Sequence, residues 1–232
     1  MLKMLLISNS YSYNKGYLDH CLSDIKLFSE NTKEITFVPY ALNNKEEYFQ
    51  LVKNRLAEID LTVVSIHRQK NKKDVILNSK AIFVGGGNTF LLLKTLYDEG
   101  LLGSIREAVN ENTVYIGTSA GIVIAGPSIK TTNDMPIVFP PTFDALHLVN
   151  FHINAHYVDA HPGDKMMIET RDRRIKEFQE QNKSIVLGLR EDTLLHINNN
   201  SMIVKGKSGC KIFPVNGKPY DVIRDSDLSF LL

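Results

Sequence analysis

A serine between two glycines lies at the junction of two apolar runs, and this junction constrains the fold more than any other stretch of the chain. Residues 117–121 read GTSAG; the run 113–116 (TVYI) precedes them and the run 122–125 (IVIA) follows. The β-branched and aromatic first run predicts a buried strand, and the second predicts a short helix. Ser119 is therefore expected at a sharp turn from strand to helix.

A turn of this kind suits a nucleophilic serine. Glycines two positions away on either side relieve the crowded backbone, so that the hydroxyl of Ser119 projects outward. The amide of Ala120, at the start of the helix, points toward negative charge that develops beside the serine. A solvated serine in an ordinary turn has the same pentapeptide, but the strand before it and the helix after it favour a nucleophile elbow.

The bulk composition excludes several classes of protein. Of the 232 residues, 43% are hydrophobic and 23% are charged, which is ordinary for a globular protein with a sizeable core. The net charge of +1 gives no electrostatic footprint for nucleic acid or for an acidic membrane, so a small substrate is the expected partner. No apolar run approaches the roughly 18 residues of a membrane span, and the two distant cysteines predict neither a disulfide framework nor a zinc site. The cytoplasm is the expected compartment.

Strand-like and helix-like runs alternate along the chain, a pattern typical of a mostly parallel sheet with helices on both faces. Strands are predicted at 3–8, 34–38, 61–66, 81–84 and 113–116, and helices at 17–28, 45–58, 91–97 and 170–181. A long loop with several prolines follows the serine, and short runs at 184–189, 194–197, 202–205 and 211–215 predict a β-rich C-terminal end. Since no linker or repeat divides the chain, a single α/β domain is expected.

A second glycine-rich turn, GGGN at residues 85–88, follows the fourth predicted strand. Ligands in open α/β sheets lie at the carboxyl edge of the strands, so this turn and Ser119 are expected to face one crevice. The amides of Gly86 and Gly87, together with that of Ala120, are candidates for an oxyanion hole. The turn could instead hold a phosphate in a non-catalytic nucleotide-binding protein, but neither a full G-x-G-x-x-G nor a P-loop motif is present.

A serine nucleophile needs a base, and a histidine is the usual one. Of the seven histidines, His152 and His156 share one face of the strand-like segment 151–157 with Asn154, so one of the two is the predicted base. A metal site would be an alternative use of His152, His156 and His161 with Asp159 and Asp164. Their spacing matches no known zinc motif, and no metal is expected.

Two acids are candidates for the group that orients the base. Asp134 lies in the proline-bearing loop after the serine, and Glu191 follows the predicted strand 184–189. Chain order does not choose between them, because catalytic triads occur in several orders. A strand end holds a carboxylate more rigidly than a proline-rich loop, which favours Glu191, and both residues are retained.

Several stretches taken together resemble the peptidase E family of α-aspartyl dipeptidases. They are, in order, 85–90 (GGGNTF), 117–121 (GTSAG), 131–138 (TTNDMPIV), 153–157 (INAHY), 169–171 (ETR) and 188–191 (GLRE). The resemblance implies a fold like that of class I glutamine amidotransferases and hydrolysis of dipeptides with an amino-terminal aspartate, without a cofactor. It further implies Ser119 as nucleophile, His156 rather than His152 as base, and Asp134 or Glu191 as third member.

An aspartyl side chain that enters a crevice needs a cation or several donors to offset its desolvation. Arg171, at the start of a predicted helix, is the candidate cation, and Asn88 and Thr131 are further candidates for substrate contacts. A solvated helix-surface role is the alternative for Arg171. Related peptides with β-linked aspartate are the alternative substrates, and a monomer or homodimer is expected.

Two residues depart from the pattern of this family. Ala155 stands where proline is usual, and Ile168 stands where glycine is common. Neither belongs to the proposed chemistry, so the departures concern only the path of the loop 157–168.

Overall fold

The computed structural model describes residues 2–160 and 169–232, and strands and helices alternate along both ranges. The strands are β1 (Lys3–Ile7), β2 (Glu34–Val38), β3 (Thr62–Ser65), β4 (Ala81–Val84), β5 (Val114–Thr118), β6 (His152–Asn154), β7 (Val186–Leu189), β8 (Thr193–Asn198), β9 (Ser201–Gly206), β10 (Cys210–Phe213) and β11 (Tyr220–Val222). The helices are α1 (Leu22–Phe28), α2 (Lys45–Ala57), α3 (Lys72–Leu77), α4 (Thr89–Asp98), α5 (Leu102–Asn110), α6 (Ala120–Val123) and α7 (Arg171–Gln181). His161, Asp164 and Ile168 lie outside the described residues.

The strands form two sheets rather than one. The larger sheet has the order β3-β2-β4-β5-β1-β8-β9, in which β1 to β5 pair in parallel and β8 and β9 join antiparallel. The smaller sheet has the order β11-β10-β7-β6, with β6 and β7 parallel. The predicted α/β fold with a mostly parallel sheet and a β-rich C-terminal end is confirmed.

Helices cover both faces of the larger sheet, as predicted. Met4 and Leu6 of β1 belong to a core that includes buried leucines of α4 and α5. Leu5 and Ile7 belong to a second core, which α1 and α2 complete on the opposite face. Strand residues alternate between the two faces, so a central strand with helices on both sides must be apolar at every position. This is why β1 is hydrophobic at every position from Met4 to Ile7.

One predicted helix is shorter than its sequence pattern. The pattern predicts a helix from residue 17, whereas α1 begins at Leu22. Leu18 has a φ of 60° and accepts a turn hydrogen bond from the Cys21 amide, so the chain makes a left-handed turn before the helix starts. Among the described residues, no helix is both long and apolar enough to cross a membrane.

The carboxyl ends of strands from both sheets meet in one region. Ser119 follows β5, and the glycine-rich turn 85–88 follows β4, its neighbour in the larger sheet. His156 comes two residues after β6 and Glu191 two residues after β7, which pair in parallel in the smaller sheet. The two sheets therefore contribute different groups to the same site.

Candidate active site

The backbone at Ser119 is strained in the way that a nucleophile elbow requires. Its φ is 50° and its ψ is −110°, values that a residue with a side chain rarely adopts. A Cβ on Gly117 would lie 2.8 Å from the carbonyl oxygen of Gly121, and a Cβ on Gly121 would lie 2.3 Å from that of Val84. Only glycine fits at either flanking position, which explains the G-x-S-x-G spacing in physical terms.

A continuous chain of hydrogen bonds joins Ser119, His156 and Glu191. The Oγ atom of Ser119 lies 2.7 Å from Nε2 of His156, and Nδ1 of the same ring lies 2.6 Å from Oε1 of Glu191. A carboxylate only accepts hydrogen bonds, so Nδ1 carries a proton and Nε2 is free to accept the serine proton. The arrangement can activate a hydroxyl for attack on an acyl group.

Ser8, the residue directly after β1, holds the backbone on which His156 is carried. Its Oγ accepts a hydrogen bond of 3.2 Å from the His156 amide and donates one of 2.8 Å to the carbonyl of Leu189. Ser8 is fully buried, and His156 has a left-handed φ of 53°. Sequence reasoning missed Ser8; the signal was a polar residue at the carboxyl end of a buried strand that faces the crevice.

The turn that carries Glu191 is anchored on both sides of the acid. Arg190 forms hydrogen bonds of 2.7 and 2.9 Å with the carboxylate of Asp159. On the other side, the Asp192 amide donates to Oδ1 of Asn9 at 2.8 Å. The Glu191 side chain itself is half-exposed. The hydrogen bonds of its two neighbours fix the backbone from which its carboxylate reaches the imidazole.

Asp134 does not support the base, which corrects its candidacy as third member. Its carboxylate accepts a 2.7 Å hydrogen bond from the amide of Thr89 and a 3.1 Å bond from the hydroxyl of Thr132. Thr89 is the first residue of α4, where free amides and the helix dipole favour a negative charge. Asp134 therefore caps this helix, directly after the glycine-rich turn, while Glu191 contacts His156.

The glycine-rich turn packs its backbone against the serine. A Cβ on Gly86 would lie 3.0 Å from the Cβ of Ser119, and Gly87 has a φ of 133° that favours glycine. Within the described part of the chain, the amides of Gly87 and Ala120 donate no hydrogen bond to protein atoms. These two amides are available to an oxyanion that forms beside Ser119, whereas the Gly86 amide is directed at the hydroxyl oxygen of Tyr48.

Asn88 and Thr131, two candidates for substrate contacts, have structural roles instead. The Asn88 side chain accepts from the Leu91 amide at 3.0 Å, as the N-cap of α4, and donates to the Met135 carbonyl at 2.8 Å. Thr131 is buried, and its hydroxyl donates to the Ile153 carbonyl at 2.8 Å. Both residues stabilise the loop after the serine, because their polar atoms already have backbone partners.

Arg171 is linked by hydrogen bonds, through one intermediate side chain, to the residue that precedes the base. Its Nη1 donates a 2.6 Å hydrogen bond to Oδ1 of Asn133, and Nδ2 of Asn133 donates to the carbonyl of Ala155, which precedes His156. Burial and then the charge of Arg174 lower the pKa of Arg171 from its ordinary value. Among the described residues, no carboxylate forms an ion pair with Arg171.

His152, the other histidine of β6, is a buried structural residue. Its Nε2 lies 2.8 Å from the hydroxyl of Ser128, and its Nδ1 lies 2.8 Å from that of Ser184. Burial and then the positive charge of Lys130 lower the pKa of His152 to about 4. Within residues 2–160 and 169–232, no group of His, Cys, Asp and Glu side chains is arranged to hold a metal ion.

Because His152 is neutral in the folded protein, it predicts a loss of stability in acid. Its pKa is about 4 when folded and 6.5 ordinarily, so below pH 6.5 the unfolded chain binds the proton first. The contribution is complete above pH 6.5, and about 3 kcal/mol is expected to be lost by pH 4. Urea unfolding of the wild type and of His152→Gln between pH 7 and 4 measures this loss. The variant should have a lower free energy of unfolding at pH 7, and that free energy should change less with pH than it does in the wild type. Parallel curves would contradict the assignment.

A cavity of about 500 Å³ opens beside the hydrogen-bonded chain. Its walls include Ser119, His156 and Glu191, together with Tyr17, Tyr48 and Leu51. The volume suits a small ligand rather than a folded polypeptide segment.

Comparison with known proteins agrees with the fold. The family model described as Peptidase family S51 matches residues 4–205. The protein named probable alpha-aspartyl dipeptidase in Drosophila melanogaster is 41% identical, covering 99% of this chain and 97% of that protein. Peptidase E of Streptomyces coelicolor is 40% identical, covering 100% and 95%. The crystal structure of a peptidase from an acI-B1 Actinobacterium has the same fold, with a TM-score of 0.73, 16% identity and coverage of 99% and 97%. The chain belongs to peptidase family S51.

Proposed function

We propose that this protein is a serine dipeptidase that hydrolyses dipeptides with an amino-terminal aspartate through an acyl-enzyme. The observation that carries the proposal is the hydrogen-bonded chain from Ser119 through His156 to Glu191, at 2.7 and 2.6 Å. Beside it lie the Gly87 and Ala120 amides, which have no acceptor among the described residues. The substrate class is supported by the relatives of similar length whose names are alpha-aspartyl dipeptidase and peptidase E.

The reaction follows from the geometry of these groups. Nε2 of His156 takes the proton of Ser119 as the oxygen attacks the scissile carbonyl, and Glu191 stabilises the imidazolium that forms. Amides of the glycine-rich turn and of Ala120 donate to the developing oxyanion. The imidazolium then protonates the leaving amine, and the second residue departs. Water, deprotonated by the same ring, hydrolyses the aspartyl ester and regenerates the serine.

A panel of four peptides tests the proposal: Asp-Leu, Glu-Leu, β-Asp-Leu and acetyl-Asp-Leu. Hydrolysis of Asp-Leu with the other three at least about 100-fold slower is expected, because a site built for one charged side chain rejects displaced charges strongly. Preferential cleavage of β-Asp-Leu would support the alternative of β-linked substrates. Absence of hydrolysis in all four, with thermal stabilisation by nucleotides, would replace the proposal by the nucleotide-binding alternative.

We propose Arg171 as the cation that binds the aspartyl carboxylate. The half-buried guanidinium has an amide partner and no acidic one among the described residues, and its planar fork matches a carboxylate. Arg171→Leu is expected to lower kcat/KM for Asp-Leu about 100-fold, as loss of one charged partner does. Arg173→Leu is the matched control, since Arg173 is exposed and paired with Glu177. Equal, small effects of both variants would remove Arg171 from the site.

Ser8 is expected to act as a positioning residue for the base. Ser8→Ala removes both hydrogen bonds that join the His156 backbone to β7 and should lower kcat about 10-fold with KM almost unchanged, because binding groups are untouched. Ser128→Ala, which removes a buried hydroxyl from His152, is the control and should lose stability without a selective loss of kcat. A parallel fall of kcat in both variants would assign Ser8 a structural role only.

A further inference from the structure

The charge of the cavity beside Ser119 determines which half of a dipeptide it can hold. Among the described residues that line it, Glu47 and Glu191 are the carboxylates, and none is a lysine or an arginine. An aspartyl carboxylate placed there would be desolvated without a cation and repelled by like charges. The aspartyl side chain must therefore lie elsewhere, and the cavity is left for the side chain of the other residue, whose own α-carboxylate must lie outside it for the same reason.

Much of the cavity lining is made of aromatic and aliphatic side chains. Tyr11 packs edge-to-face on Tyr17 at 5.2 Å between ring centroids, and Tyr17 does the same on Tyr48 at 6.3 Å. Leu42 and Leu51 add apolar surface to the cavity, and their exposed fractions are 42% and 38%. A leucine packed against other apolar side chains is usually less exposed than this. A bound apolar side chain would cover this surface and gain free energy from its burial.

The side on which the cavity lies agrees with this use. His156 delivers a proton to the leaving amine, so the leaving residue must lie on the side of the imidazole. The cavity is lined by His156 and Glu191 and does not include Arg171. Its volume of about 500 Å³ accommodates one large side chain.

We infer that this cavity is the subsite for the second, leaving residue and that it selects large apolar side chains. The inference rests on the proposed dipeptidase function and specifies its substrates. Contacts with Leu51 and the tyrosines favour leucine or phenylalanine over alanine at this position. Glu47 disfavours an acidic residue there, because it lines the same cavity.

The experiment compares kcat/KM for Asp-Ala, Asp-Leu, Asp-Phe, Asp-Gln and Asp-Glu. Asp-Leu and Asp-Phe are expected to exceed Asp-Ala about 10-fold, and Asp-Glu is expected to be the slowest. Leu51→Ala should lower the ratio of Asp-Phe to Asp-Ala about 5-fold. Leu77→Ala, a similarly exposed leucine on α3, is the control and should leave that ratio unchanged. Glu47→Gln should raise Asp-Glu relative to Asp-Gln.

Ratios between substrates separate the subsite from general damage, because a misfolded variant loses activity on all peptides equally. Equal rates for Asp-Ala and Asp-Phe, or a ratio that Leu51→Ala does not change, would overturn the inference while the dipeptidase function stands. Failure of every aspartyl dipeptide as a substrate would overturn the function and the inference with it.

Discussion

Replacement of Ser119 by alanine is expected to lower kcat for Asp-Leu by about 10⁴-fold or more, to the level left by binding and oxyanion stabilisation alone. In the proposed mechanism the side-chain oxygen of Ser119 is the atom that attacks, and its hydrogen bond of 2.7 Å goes to His156. Nothing else in the cavity stands at the same position to replace it. Release of leucine, measured with the purified variant at high enzyme concentration, gives the size of the loss.

The fold should survive this substitution. Alanine meets the same backbone strain at a φ of 50° as serine does, and no other hydrogen bond of the side chain is lost. The free energy of unfolding of Ser119→Ala should stay within about 1 kcal/mol of that of the wild type. Activity that persists in a folded Ser119→Ala protein would exclude the acyl-enzyme mechanism.

The second large effect is expected at the base and the acid, which should act as one unit. His156→Ala should lower kcat about 10⁴-fold or more, and Glu191→Gln about 10³-fold, because the carboxylate holds the tautomer on which proton transfer depends. Without the imidazole the carboxylate has nothing to orient. The double variant should therefore be no slower than His156→Ala alone, a non-additivity typical of residues that work together.

Asp134→Asn provides the contrast that separates the two acids. Asp134 caps α4 after the glycine-rich turn, so its loss should reduce stability and disturb the oxyanion amides. That effect is independent of the imidazole, and it should multiply with the loss in His156→Ala. The opposite result would be that Asp134→Asn lowers kcat no further in the His156→Ala background, while Glu191→Gln does lower it further. The two carboxylates would then have been assigned the wrong way round.

Local sequence patterns predicted the groups that lie on the chain close to a strand end. The turn at Ser119 could be predicted because a buried strand, two glycines and a helix start all lie within about a dozen residues. Glu191 was favoured over Asp134 because it follows a strand, and the contacts of both residues agree with that reasoning. The periodicity also placed the central strands β2 and β4 at their observed bounds.

Contacts between distant segments could not be predicted in the same way. The role of Ser8 depends on atoms from residues 148 and 181 positions away, which no local pattern relates. The division of the strands into two sheets has the same origin, because periodicity predicts strands but not their partners. Asn88 and Thr131 belong to stretches that carry the family resemblance, yet their side chains form hydrogen bonds with the backbone. Whether such a side chain contacts backbone or substrate depends on the path of the neighbouring loop.

Because the two sheets contribute different groups to the site, catalysis is sensitive to the position of one sheet relative to the other. In the proposed mechanism the larger sheet supplies the attacking oxygen and the smaller sheet supplies the imidazole and its carboxylate. The hydroxyl of Ser8 lies at the seam where the two sheets join. A slip of an ångström along this seam leaves each sheet intact but separates donor from acceptor. The rate of turnover therefore depends on how the two sheets are aligned. Loosening of the contacts at the seam would abolish activity well before either sheet unfolds.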